Sequence, residues 1–249
     1  MSRNYFNFLL PTFLLLFVAG CKTYYPVTET SSIVKIKNND IADSNIVTYY
    51  RPFKDSLDKL MKIPLATLEN DLYKKQPEST LGNMVVDILK AKAADYTHQT
   101  IDAAILNYGG IRMPSLTKGT LKVEDAYLLM PFDNYVVVQV LTGKQVVSFC
   151  DSIAQKNGWP VSGISFQIAN NKAINCTINN KPIDENKLYK IALIDYVANG
   201  GDGMAFLKTI PQQQTGKLFR EAIIEYWTEQ TKAGKPISAS LEKRITHAE

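Results

Sequence analysis

Asn107-Tyr108-Gly109-Gly110-Ile111-Arg112 and Tyr196-Val197-Ala198-Asn199-Gly200-Gly201-Asp202-Gly203 are the two stretches on which the reading of this chain turns. Each follows a short apolar run, Ile101–Leu106 before the first and Leu188–Ile194 before the second. Runs this short, closed by turn residues, read as buried strands. A Gly-Gly pair at a strand end lets the chain turn sharply and brings its backbone close to a ligand. Asn107 carries an amide that both donates and accepts, which suits the edge of a nucleobase. Arg112 offers a planar cation for a phosphate or for sugar oxygens. Gly110 and Gly201 leave room beside these groups, Asp202 can accept two hydroxyl protons from a ribose, and Tyr196 can stack on a flat ring. Taken singly, each segment is equally well a structural turn with a surface charge.

A third piece is Met130-Pro131-Phe132-Asp133-Asn134. Pro131 stops a short helix predicted over Val123–Leu129. Phe132 then stands just before the valine-rich run Tyr135–Leu141, which reads as a central strand. A phenylalanine there is either core or the second wall of an aromatic slot opposite Tyr196. Two rings around a base would stack on it with little regard to its identity.

Outward from these segments, the pattern predicts a mixed α/β chain. Ile46, Tyr50, Phe53, Leu57 and Leu60 share one helical face, with Asp43 or Ser44 as N-cap, and Pro52 should kink that helix or mark a restart. A short strand is expected near Ile33–Ile36 and another at Ile63–Leu68. Ser79 or Thr80 caps a helix whose stripe is Leu81, Val85, Ile88, Leu89 and Lys92. Gly143–Ala154 is a helix with Val146, Phe149, Cys150 and Ile153 inward. Asn170-Asn171 joins Ile164–Ile168 to Ala173–Ile178 as a hairpin, because asparagine tolerates the left-handed turn. A last helix spans about Leu218–Thr231, with Phe219, Ile223 and Trp227 on one side.

The N-terminus reads as an address. Phe8–Val18 is almost wholly apolar, follows Arg3, and runs into Val18-Ala19-Gly20-Cys21, the pattern of a bacterial lipobox. The expected organisation is a signal peptide over 1–21 with Cys21 lipidated, a tether over 22–42, and one α/β domain over 43–249. The chain would then be held to a bacterial membrane, facing the periplasm or the cell surface. A net charge of +4 with no basic stripe argues against nucleic acid as a partner. Cys150 and Cys176 leave two alternatives open, one disulfide or two buried thiols. The two histidines, His98 in a helix-to-strand connection and His247 in the terminal tail, have no metal-ligand neighbourhood in sequence.

Glu78-Ser79-Thr80-Leu81-Gly82-Asn83, Asn107–Arg112, Pro131-Phe132 and Ala198–Gly203, in this order, resemble the C-terminal domain of the 5'-nucleotidase family. The resemblance covers roughly Ile46–Phe206. It implies layered mixed sheets flanked by helices. It also implies a substrate site in which Phe132 and Tyr196 sandwich the base, Asn107 contacts it, and Arg112 with Asp202 holds the ribose or its phosphates. Family members often carry an arginine five positions before the glycine matching Gly82. Here that position is Pro77, and Lys74 or Lys75 is the candidate to supply the charge.

The full-length family hydrolyses phosphate esters with a separate N-terminal metallophosphatase domain holding two metals. No Asp-x-His and no Gly-Asn-His-Glu motif occurs in this sequence. The resemblance therefore implies a nucleotide- or nucleoside-recognition subunit of a split 5'-nucleotidase, inactive alone. It would need no cofactor of its own, and the divalent metals would sit in a partner metallophosphatase. The alternatives are a non-catalytic nucleoside-binding lipoprotein for scavenging and a degenerate structural domain.

Overall fold

Tyr135-Val136-Val137-Val138-Gln139-Val140-Leu141-Thr142 is dominated by β-branched residues, and it forms an interior strand. Val136, Val137 and Val138 are all buried, so both faces of the sheet are covered there. The computed structural model describes residues 31–35 and 43–248. Within them, Tyr135–Thr142 lies antiparallel to Leu188–Ile194 on one side and to Gln212–Leu218 on the other. Leu188–Ile194 in turn runs parallel to Ala103–Ile105, with Ile191 opposite Ala103 and Ala192 opposite Ala104. Val161–Ser162 completes a five-stranded mixed sheet at its far edge.

A second sheet has four strands, in the order Lys181–Pro182, Lys172–Ile178, Ile164–Ala169 and Ile245–His247. Its hairpin turns through Asn170 and Asn171, both left-handed at φ 49° and 59°, as the sequence predicts. Two small pairs, Pro64–Leu68 with Gly119–Lys122 and Leu72–Tyr73 with Ser115–Leu116, finish the set of ladders.

The helix Thr80–Thr97 begins where Ser79 accepts a hydrogen bond from the Gly82 N–H at 3.0 Å. This accounts for part of the Glu78–Asn83 motif in structural terms. Asn83 donates to Glu78 at 2.7 Å and to the Ser240 carbonyl at 2.8 Å, and Glu78 also accepts from the Glu242 N–H. The motif caps a helix and stitches the C-terminal segment to it. Leu81, Val85, Ile88 and Leu89 are buried on the predicted stripe, and so is Lys92. A buried ammonium needs carboxylates, and Lys92 finds Glu229 at 2.9 Å, Glu225 at 3.2 Å and Asp95 at 3.3 Å. Glu225 and Glu229 belong to the last helix, Phe219–Lys232, whose Phe219, Ile223 and Trp227 are buried.

Several expectations need correction. Ile33–Lys35 has no regular structure, and Ile36 lies outside the described residues, as do the apolar leader, Cys21 and the rest of the tether except 31–35. The helix Ser44–Met61 continues through Pro52, whose ring removes one backbone donor without ending it. Asp43 is the cap, accepting from the Asn45 N–H at 2.8 Å. No residue of this helix is buried, although its apolar positions do share a face. His247 is in a short parallel strand with Ile164–Ala169 rather than a tail, whereas His98 does lie in the helix-to-strand connection, as the left-handed C-cap of Thr80–Thr97. The described residues fall into two compact units, one ending at Tyr49 and one beginning at Tyr50. No described helix is long and apolar enough to cross a membrane.

Arg244 is largely buried and fixes the C-terminal segment to the helix Thr80–Thr97 through a two-pronged contact with Asp87, 2.8 Å for each nitrogen–oxygen pair. Asp87→Ala leaves that guanidinium with Glu242 and the Val161 carbonyl. Urea denaturation should show a loss of about 1–3 kcal/mol, with Asp87→Glu losing less.

Candidate functional site

Parallel pairing of Ala103–Ile105 with Leu188–Ile194 places the carboxyl ends of both strands on the same edge of the sheet. Each end leads directly into one of the glycine segments. The antiparallel neighbour Tyr135–Thr142 starts at that same edge, since Val136 faces Ile194. Pro131–Asn134 is therefore delivered there too. Segments far apart in sequence meet because the strand order brings them together, in the position where open α/β sheets commonly hold ligands.

They enclose a cleft of about 280 Å³. Asn107, Gly109, Gly110 and Arg112 line it from the first glycine segment, Phe132 and Asn134 from Met130–Asn134, and Tyr196 and Asp202 from the second glycine segment. The predicted residues Asn107, Gly110, Arg112, Phe132, Tyr196 and Asp202 are thus brought together. Gly201 lies just outside, in a shallower depression shared by Tyr196 and Asn134.

Asp202 is the centre of the arrangement. It is exposed and left-handed at φ 51°, between Gly200 at φ 90° and Gly203 at φ 83°. One carboxylate oxygen accepts from the Asn107 amide at 2.7 Å, and the other accepts from the Tyr196 hydroxyl at 3.0 Å. Each oxygen keeps a further lone pair for an incoming hydroxyl. The bond to Asp202 raises the Tyr196 pKa, because deprotonation would place two anions together. Asn107 is itself buried, and its amide oxygen has no partner. That oxygen rests against Gly110, where an added Cβ would come within 2.8 Å of it. The Asn107 amide nitrogen thus orients Asp202. Gly201 has a comparable role, since a Cβ there would lie 2.5 Å from the Tyr196 ring.

Phe132 and Tyr196 are each more than two-fifths exposed, at 42% and 45%, so their faces are available to a ligand. Phe132 is not core. Its loop is held from beneath by Arg220, a residue that sequence reasoning missed. Arg220 is buried, donates to the Phe132 carbonyl at 3.3 Å and to Asp133 at 2.7 Å, and lies 4.3 Å from the Tyr127 ring centre. Gly109 and Asn134 were also missed. A signal for Arg220 was present, in that it is a charged residue on the inward side of the last helix.

The cationic end of the cleft is Arg112, whose guanidinium lies 5.7 Å from the Phe132 ring centre. Lys74 stands nearby, donating to the Ile111 carbonyl at 2.6 Å and lying 4.0 Å from the Tyr108 ring centre. Burial, and secondarily the Arg112 charge, lowers the Lys74 pKa. Pro77 is elsewhere, in a separate crevice with Lys75 and Glu78, packed against Gly158. Among the described residues, no three His, Cys, Asp or Glu side chains gather as a metal site.

The chain is thus a mixed α/β domain with an open cleft at the ends of two parallel strands. Residues 64–209 match the family described as 5'-nucleotidase, C-terminal domain, and the chain belongs to that family. It is 26% identical over 215 residues to a 5'-nucleotidase of Vibrio parahaemolyticus, covering 80% of this chain and 36% of the relative. It is 29% identical over 157 residues to the protein UshA of Escherichia coli, covering 60% of this chain and 27% of the relative. The solved 5'-nucleotidase precursor from Thermus thermophilus superposes with a TM-score of 0.69 at 27% identity, over 81% of this chain and 42% of that one. The chain thus spans less than half the length of these relatives.

The Tyr196–Asp202 contact sets a pH dependence. Its contribution is complete below the ordinary phenol pKa and is lost as pH rises through the elevated one. In NMR titrations of ring-labelled tyrosine, assigned against Tyr196→Phe, the Asp202→Asn variant should titrate Tyr196 at a lower pH than wild type.

Proposed function

We propose that this domain recognises a nucleoside or nucleotide, the base between Phe132 and Tyr196, the ribose hydroxyls on Asp202, and the phosphate toward Arg112. The observation that supports this most is the convergence of two accessible rings, one carboxylate and one guanidinium on a single cleft. Its volume lies at the small end of ligand sites, on the scale of one nucleoside unit. Lys74, beside Arg112, adds positive charge at the end where a phosphate would lie.

The reaction served is phosphate-ester hydrolysis in nucleotide breakdown. This chain orients the substrate, and a separately encoded metallophosphatase provides the two metal ions that polarise the phosphoryl group and deprotonate water. The motivation is a substrate-side residue set in a sequence with only two histidines, neither of them lining the cleft. Lipid on Cys21 would hold the pair at a bacterial membrane.

Calorimetry with adenosine and AMP tests the recognition step. Phe132→Ala and Tyr196→Ala should each weaken both ligands by about tenfold, in line with roughly 1–3 kcal/mol per stacked base. Arg112→Ala should weaken AMP more than adenosine. Absence of binding by the wild type refutes the reading. For the division of labour, the purified chain with AMP and a divalent metal should release no phosphate, and adding the metallophosphatase should restore release. Robust hydrolysis by the chain alone overturns it.

A further inference from the structure

Lys172–Ile178 contains an irregularity that matters for its chemistry. Ser165 faces Thr177 and Gln167 faces Ile174, so Phe166 stands opposite two residues, Asn175 and Cys176. Asn175 is left-handed at φ 54°. This is a β-bulge, and a bulge shifts the alternation of side chains by one. In an unbroken strand Ala173 and Cys176 would point to opposite faces. Here both pack against the core.

The element beneath is the helix Gly143–Gln155. Its Asp151 accepts from the Ala173 N–H at 2.9 Å, fixing helix to strand beside the bulge. Its Cys150 is fully buried and Cys176 is half-buried, and the two thiols lie close enough that each shifts the other's pKa. The bulge is thus the feature that turns Cys176 onto Cys150. We propose that Cys150 and Cys176 are a redox pair that closes to an intramolecular disulfide when the chain meets a disulfide oxidant.

The step balances without a metal. Cys176 is the accessible member, and Cys150 beside it lowers its pKa, so it is the nucleophile. Its thiolate attacks one sulfur of an external disulfide, forming a mixed disulfide and expelling one thiolate. Cys150 then gives its proton to that thiolate and attacks the Cys176 sulfur, expelling a second thiolate, which takes up the proton that Cys176 released to solvent. One protein dithiol and one external disulfide become one protein disulfide and two thiols. The tie joins the outer hairpin to the helix whose Phe149 meets Phe206 edge-on at 5.7 Å, next to the Asp202 loop.

The test uses the full chain carrying Cys21→Ser, so that only this pair can respond, with glutathione disulfide as oxidant and dithiothreitol as reductant. Oxidation should lower the intact mass by about 2 Da, abolish thiol reactivity in denaturant, and give a tryptic peptide linking Cys150 to Cys176. It should also raise Tm by roughly 5–10 °C, reversibly. Cys176→Ser should show none of these changes, whether or not Cys150→Ser folds. Two thiols still reactive in denaturant, or a glutathione adduct on Cys176 that never resolves, overturns the proposal.

Discussion

Two-residue parallel register between Ala103–Ile105 and Leu188–Ile194 is the constraint on which the site depends. Without it the two glycine segments would leave the sheet at unrelated places. With it, both chains exit at one edge, and the antiparallel strand Tyr135–Thr142 starts there as well. The three carriers of the cleft are thus placed by backbone hydrogen bonds before any side chain contributes. Side chains then refine the placement. Gln139, fully buried in the sheet, donates to the carbonyls of Leu207 and Ile210 at 3.0 and 2.8 Å, and so pins the turn that follows Asp202.

The site shows why glycine and strain cluster around Asp202. A carboxylate presented on a tight left-handed turn projects away from the sheet, and only small neighbours leave room for it. Asn107 and Tyr196 hold its two oxygens, so the anion is oriented while it remains exposed. Orientation set in advance reduces the ordering a ligand must bring about on binding. The cost is a buried amide oxygen on Asn107 with no partner, tolerated where Gly110 lets the backbone lie flat against it.

Much of this was legible in the sequence. The strand Leu188–Ile194 and the helices Val123–Leu129 and Gly143–Gln155 follow directly from apolar runs, caps and spacing. The site segments were legible as glycine-broken strand ends, and their order identified the family. Pairwise contacts were less so. Arg220 reaches a loop nearly ninety positions earlier, and no local pattern encodes that distance. The charge of Lys92 was hidden within an apolar stripe, because its carboxylate partners lie mostly on another helix. At Pro52 the helix does not restart, since one missing donor in a long helix is a local cost that the turns on either side absorb.

Arg220 also has a consequence for how the protein comes into being. Phe132, one wall of the cleft, is anchored by a residue of the helix Phe219–Lys232. Synthesis proceeds from the N-terminus, and earlier elements can condense while later ones are still absent. The ring therefore stays unanchored on the nascent polypeptide until residue 220 has left the ribosome. A product truncated before the helix Phe219–Lys232 would carry all five strands of the larger sheet but would leave the Phe132 loop without its Arg220 anchor.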